Sequence, residues 1–81
     1  MKKIKSIDLH LYVGYYLAGY NNFDDKKYII YAEIIEVDQK EHKIKLKPIN
    51  NDIEIIGYYK DDNEVELYSK EESILLLLNE F

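Results

Sequence analysis

The pattern of apolar and polar positions divides the chain into short, mostly extended elements. Residues 28–38 (YIIYAEIIEVD) are rich in β-branched and aromatic side chains, which favours a strand. Alternation places Ile30, Ala32 and Ile34 on one face, then shifts phase so that Ile35 and Val37 become the apolar positions. One extra residue near Ile34–Ile35 restores a single apolar face, so the pattern predicts a β-bulge there. A helix reading of this segment puts Glu33, Glu36 and Lys40 on one stripe, and it is the weaker of the two. Residues 38–42 form a polar connector of hairpin length. Lys43–Lys47 then alternates cleanly, with Ile44 and Leu46 inward and Lys43, Lys45 and Lys47 outward. Pro48 ends this strand because it has no N–H to give to a ladder. Ile53–Tyr59 and Val65–Tyr68 read as two further strands, separated by the polar turn Lys60–Asn63.

The two ends of the chain are less regular. Ile7, Leu11 and Tyr15 have helical spacing, whereas Leu9, Leu11, Val13 and Tyr15 alternate. The reading adopted is a short helix from Ile7 to about Val13, capped by Ser6 and ended by Gly14, followed by a strand over Tyr15–Tyr20. Asn21–Asp25 is then a turn. Near the C-terminus, Ser69-Lys70-Glu71-Glu72 matches the capping box S-x-x-E, which predicts a helix over the apolar run Ile74–Leu78. That run is apolar all round, a composition that also suits a buried closing strand.

The fold class that follows is α+β. It comprises a small curved antiparallel sheet or open SH3-like barrel of four to five strands, with one or two short helices. The expected core is Leu9, Leu11, Leu17, Ile30, Ile34, Val37, Ile44, Leu46, Ile55, Val65, Leu67, Leu75 and Leu78. With 81 residues the chain is one domain. A core of that size gives marginal stability, so a homodimer or a bound partner is expected to supplement it.

Composition narrows the function classes. The chain has no cysteine, and no stretch approaches the roughly 20 apolar residues of a membrane span, so neither a disulfide framework nor membrane insertion is expected. The basic opening Met1–Lys5 resembles the start of a signal peptide. Asp8 and His10 interrupt the apolar stretch that should follow, so the cytoplasm is the expected location. The net charge is −5 and is unevenly placed. Residues 1–50 carry a balance of +2 and residues 51–81 a balance of −7. An acidic C-terminal third repels phosphates, and there is no arginine to read them bidentately.

Candidate chemistry is sparse. Ser6, Asp8 and His10 are the residue types of a nucleophilic triad, but no glycine-rich turn supplies an oxyanion hole. Only two histidines exist, His10 and His42, too few for a converging metal site with Asp8 or Glu41. Asp61-Asp62-Asn63 lacks the ligand spacing and glycine of a calcium loop. No catalytic residue, metal or cofactor is therefore assigned. Lys43, Lys45 and Lys47 form a stripe that could track a phosphate backbone, with Tyr28 or Tyr31 available for base stacking. The ordinary reading of the same stripe is the solvent face of a half-buried strand.

The nine tyrosines are the strongest surface signal. Adjacent residues on a strand point to opposite faces, so one of Tyr15/Tyr16 and one of Tyr58/Tyr59 must face outward. Beside Tyr58 and Tyr59 lie Asp61, Asp62, Glu64 and Glu66. Tyrosine flanked by acids suits a basic groove on another protein, including one meant for nucleic acid, so these six residues are the candidate contact set.

The opening IDLHLYVGYYLAGY, the segment IKLKPI and the closing EVELYSKEESILLLL resemble small orphan proteins of phages and prophages from low-GC bacteria. The likeness spans most of the chain. In compactness and acidity the chain is also similar to anti-CRISPR proteins. That resemblance implies a non-enzymatic inhibitor of a host protein such as a CRISPR effector nuclease, and it assigns no individual residue. The alternatives are a nucleic-acid-binding small barrel on the lysine stripe, and a phage structural or accessory subunit.

Overall fold

The computed structural model describes residues 1–79; the side chains of residues 20–23, 27 and 28 lie outside that description. The elements are β1 (Lys2–Lys5), a 3-10 helix (Ser6–Leu11), β2 (Tyr16–Phe23), β3 (Lys26–Asp38), β4 (Lys43–Pro48), β5 (Ile55–Tyr58), β6 (Glu64–Tyr68) and α1 (Lys70–Asn79). The strands form one open antiparallel sheet in the order β1-β6-β2-β3-β4-β5. The fold class is therefore α+β, with six strands rather than four or five.

The extra strand is β1, whose Ile4 lies opposite Val65 and whose Lys5 lies opposite Glu64. The helix expected to run to Val13 is a single 3-10 segment ending at Leu11. Ser6 does not cap it: Lys5 occupies the N-cap position, with no side-chain hydrogen bond. Gly14 serves instead in the reversal into β2. Its φ of 98° is open to glycine, and its N–H reaches the Ile34 carbonyl at 2.9 Å. The hairpin after β2 is also tighter than expected. Strand pairing continues to Phe23 opposite Lys26, leaving Asp24 and Asp25 as a two-residue turn with φ of 51° and 61°. Positive φ at both positions marks a primed turn, which matches the right-handed strand twist.

The expected bulge is present. Ile34 pairs with Leu46 and Glu36 with Lys45, so Ile35 is the extra residue. It returns Val37 to the face of Ile34. On that face Leu9, Ile34, Ile44 and Leu67 form the buried centre, with Ile4, Tyr12, Leu17, Val37, Leu46, Tyr59 and Val65 packed around them. Leu9 comes from the 3-10 helix, which closes this face. Ile34 is fully buried, and burial of that side chain contributes about 1.5–3 kcal/mol.

The opposite face is tyrosyl. Tyr16 and Tyr31 are buried there, and Tyr31 meets Tyr68 edge-to-face at 5.5 Å. Helix α1 starts with the expected capping box. The Ser69 N–H donates to Glu72 Oε1 at 2.9 Å, and the Glu72 N–H donates to Ser69 Oγ at 3.1 Å. The Met1 amino group also meets the Glu72 carboxylate. Together these hold the Glu72 carboxyl below the ordinary carboxylate range, the Met1 contact first.

Five expected core residues lie outside the core, Ile30 among them as a half-buried side chain. Leu11, Ile55, Leu75 and Leu78 are exposed, and in α1 only Ser73 is buried. An all-apolar helix implied cover on every side, but among the described residues no element provides it. No helix among them is long and apolar enough to cross a membrane.

Candidate functional site

The connection from β5 to β6 carries the acidic tip. It is fixed by Ser6, which is fully buried. The Ser6 N–H donates to the Asn63 carbonyl at 2.8 Å, and its hydroxyl reaches the carbonyls of Asn63 (3.1 Å) and Lys60. The Ile7 N–H donates to the Asp61 carbonyl at 3.2 Å. A turn that bends against the core needs donors for its inward carbonyls. The start of the 3-10 helix supplies them, because its first N–H groups have no intrahelical partner. On the other side, the Tyr59 N–H donates to the His42 carbonyl at 3.0 Å. His42 Nε2 lies 3.1 Å from Asp61 Oδ1, and its ring lies 5.4 Å from that of Tyr59.

The six candidate contact residues separate into distinct settings. Tyr58 points outward from β5 and is 73% exposed. Tyr59 points inward against the core, so it offers little contact surface. Its phenol is pushed up by burial first, then by the carboxylates of Asp61 and Asp38. Asp62 is exposed and has no ion pair among the described residues. Glu64 lies 3.9 Å from Lys3 across the β1–β6 pair. Glu66 accepts the Tyr68 hydroxyl at 2.9 Å on the tyrosyl face. Tyr68 is pushed up to about 12, by burial first and then by Glu66. The same rule sorts Tyr15 and Tyr16: Tyr15 is exposed and Tyr16 is buried. Tyr58, Asp61 and Asp62 therefore make the tip, beside a hollow lined by Tyr58, Tyr59, Lys60 and Asn63.

The lysine stripe is matched by acids. Lys45 Nζ lies 3.4 Å from Glu36 and 3.6 Å from Glu54, and Lys47 Nζ lies 3.5 Å from Asp52. The hydrogen bond to Glu36, then the charge of Glu54, push the Lys45 ammonium up. Lys43 sits opposite Asp38 on one side and Tyr58 on the other. Tyr31 is buried and offers no ring for stacking, and the Tyr28 side chain lies outside the described residues.

Comparison with known proteins places the chain nowhere. It matches no family model, no curated protein and no solved structure.

The remaining chemistry is dispersed. The Ser6 hydroxyl is engaged with backbone carbonyls, Asp8 is exposed, and His10 Nδ1 contacts the Ile7 carbonyl and Gln39 Nε2. They form no relay. A polar cleft lies between β2–β3, the segment after β4, and the start of α1, where Lys47, Asp52 and Lys70 surround Tyr16 and Glu33. The Tyr16 hydroxyl reaches Glu33 at 3.4 Å. Burial, then Glu33, push the Tyr16 phenol up, which makes it a poor proton donor near neutrality.

Sequence reasoning missed Ser6 as the anchor of the tip and His42 as the partner of Asp61. The first depends on carbonyls more than fifty positions away, and no local pattern announces it. The second had one signal: both residues flank the strand ends that the β4–β5 hairpin brings together.

Proposed function

We propose that this chain is a non-enzymatic protein-binding factor. It would act as an inhibitor or modulator from a mobile element, occupying a surface of a host nucleic-acid-handling defence protein such as a CRISPR effector nuclease, in the host cytoplasm. The observation that carries the binding role is the tip, where exposed Tyr58 and unpaired Asp62 stand beside a turn held by buried Ser6. A tyrosine has only two side-chain torsions and so loses little entropy on contact, and adjacent carboxylates select a basic partner. We also propose that the sheet is an open SH3-like barrel. The meander β2-β3-β4-β5, with β6 returning beside β2, supports this reading, with β1 as an extension.

The test is capture of a host protein on the immobilised chain, compared with Asp62→Lys and Tyr58→Ala. Both side chains are exposed, so both variants should keep their fold by circular dichroism. A specific partner is retained by the wild type and lost with both variants. Equal retention removes the tip from the mechanism. The lysine-stripe alternative has less support, because Lys45 and Lys47 are already met by carboxylates. A salt-sensitive gel shift abolished by lysine-to-glutamate changes would reinstate it.

A further inference from the structure

We propose that the free edge of β5 pairs with the same edge of a second copy of this chain, antiparallel, about a twofold axis at Ile56. β5 is the outermost strand; β4 pairs with one of its sides, and no described strand pairs with the other. The two edges of the sheet are built differently. β1 at the far edge reads KKIK, and lysine on an edge discourages pairing with another chain. β5 reads IIGY and has neither lysine nor proline. Ile53, Ile55, Ile56 and Tyr58 are exposed at 62, 42, 52 and 73%. Because side chains alternate, this apolar surface lies on both faces of the edge.

The edge is also self-complementary. A twofold axis perpendicular to the sheet pairs residues so that each face continues into the same face, which allows only registers centred on a residue. Centred on Ile56, Ile55 lies opposite Gly57 and Ile53 opposite Tyr59. Glu54 lies opposite Tyr58, whose hydroxyl can donate to it, and Asp52 opposite Lys60. Every isoleucine then meets an apolar or small residue, and each acid meets a donor or a cation. Centring on Ile55 sets Glu54 against Ile56. Centring on Gly57 sets Asp52 against Asp62 and Ile53 against Asp61. Charge complementarity therefore selects both the occupant and the register. Asp61 and Asp62 lie beyond the paired segment, so the dimer leaves both pairs of carboxylates accessible, while each Tyr58 stands at the seam.

Analytical ultracentrifugation of the full chain over a range of concentrations tests this. The wild type is expected to dimerise. Ile56→Lys puts two ammonium groups face to face on the axis and should give a monomer that stays folded. Lys60→Glu opposes Asp52 with a second acid at both ends and should raise Kd about tenfold. The swap Asp52→Lys with Lys60→Glu should restore association, because the two substituted residues again face each other with opposite charge. Three results would overturn the proposal: a wild type that stays monomeric up to about 1 mM, a dimer that survives Ile56→Lys, or one broken instead by Leu75→Lys. The first leaves the edge for a strand of another protein, and the last assigns association to α1.

Discussion

Ile34 and the leucines of α1 make the sharpest test of where this fold keeps its core. Both are apolar in runs of similar appearance, yet Ile34 is fully buried while Leu75 and Leu78 are 62 and 65% exposed. Ile34→Ala removes buried atoms among Leu9, Ile44 and Leu67 and leaves a void that a tightly paired central strand closes poorly. Such changes cost about 2–5 kcal/mol. A domain of 81 residues has about 4–12 kcal/mol in total at typical stability per residue. The substitution should therefore remove between about a sixth and all of it. In urea, with a slope of about 1 kcal/mol per molar, the midpoint should fall by about 2 M or more. Leu75→Ala and Leu78→Ala create no void and exchange one good helix former for another, so each should stay within about 0.5 kcal/mol. The assay is urea unfolding followed by far-ultraviolet circular dichroism at fixed protein concentration. A loss above about 1.5 kcal/mol at either leucine, or below about 1 kcal/mol at Ile34, would refute this placement of the core.

Two further outcomes follow from single sites. Asp25 holds φ of 61° in the β2–β3 turn, so Asp25→Gly should stabilise the chain by about 0.5–1 kcal/mol, whereas a β-branched Asp25→Val should destabilise it; a reversed order in thermal unfolding would show that the turn is not primed. The Tyr68 phenol is raised from 10.0 to about 12, so its contribution is complete below pH 10 and is lost as pH rises toward 12. The unfolded phenol ionises first, which favours unfolding. Tyr68→Phe should flatten this alkaline fall in part, because Tyr16 and Tyr59 are raised in the same direction; an unchanged profile would place the alkaline transition elsewhere.

What was legible in the sequence was local. The bulge at Ile35 showed as a phase shift in alternation, because a face must stay apolar to stay buried. The capping box at Ser69–Glu72 showed because its two reciprocal bonds span three residues. That one tyrosine of each adjacent pair faces outward followed from alternation, but which one did not. What was hidden depends on distance along the chain. β1 has one apolar residue in four, and it is a strand only because β6, some sixty positions later, lies beside it. Ser6 and Ser73 are polar side chains that burial would ordinarily penalise. They are tolerated because carbonyls from Lys60, Asn63 and Ser69 accept their hydroxyls. The leucines of α1 misled in the opposite direction, since apolar composition states a preference for burial and no described element fulfils it.

The acidic C-terminal third looks different once its partners are in place. The balance of −7 after residue 50 suggested a broad negative surface. Most of those carboxylates are engaged at home: Asp52 with Lys47, Glu54 with Lys45, Asp61 with His42, Glu64 with Lys3, Glu66 with Tyr68, and Glu72 with Ser69 and Met1. The ion pairs among these, those of Asp52, Glu54, Glu64 and Glu72, contribute little to stability but reduce the field that an approaching partner meets. Charge reversal at Asp61 or Glu64 would also strand His42 or Lys3, so a loss of binding there would have two explanations. Asp62 has no such tie. If the tip selects a basic partner, Asp62→Lys is the substitution that changes recognition without changing the scaffold. Its effect should shrink as added salt screens the charge, whereas the contribution of Tyr58, made by apolar contact, should persist.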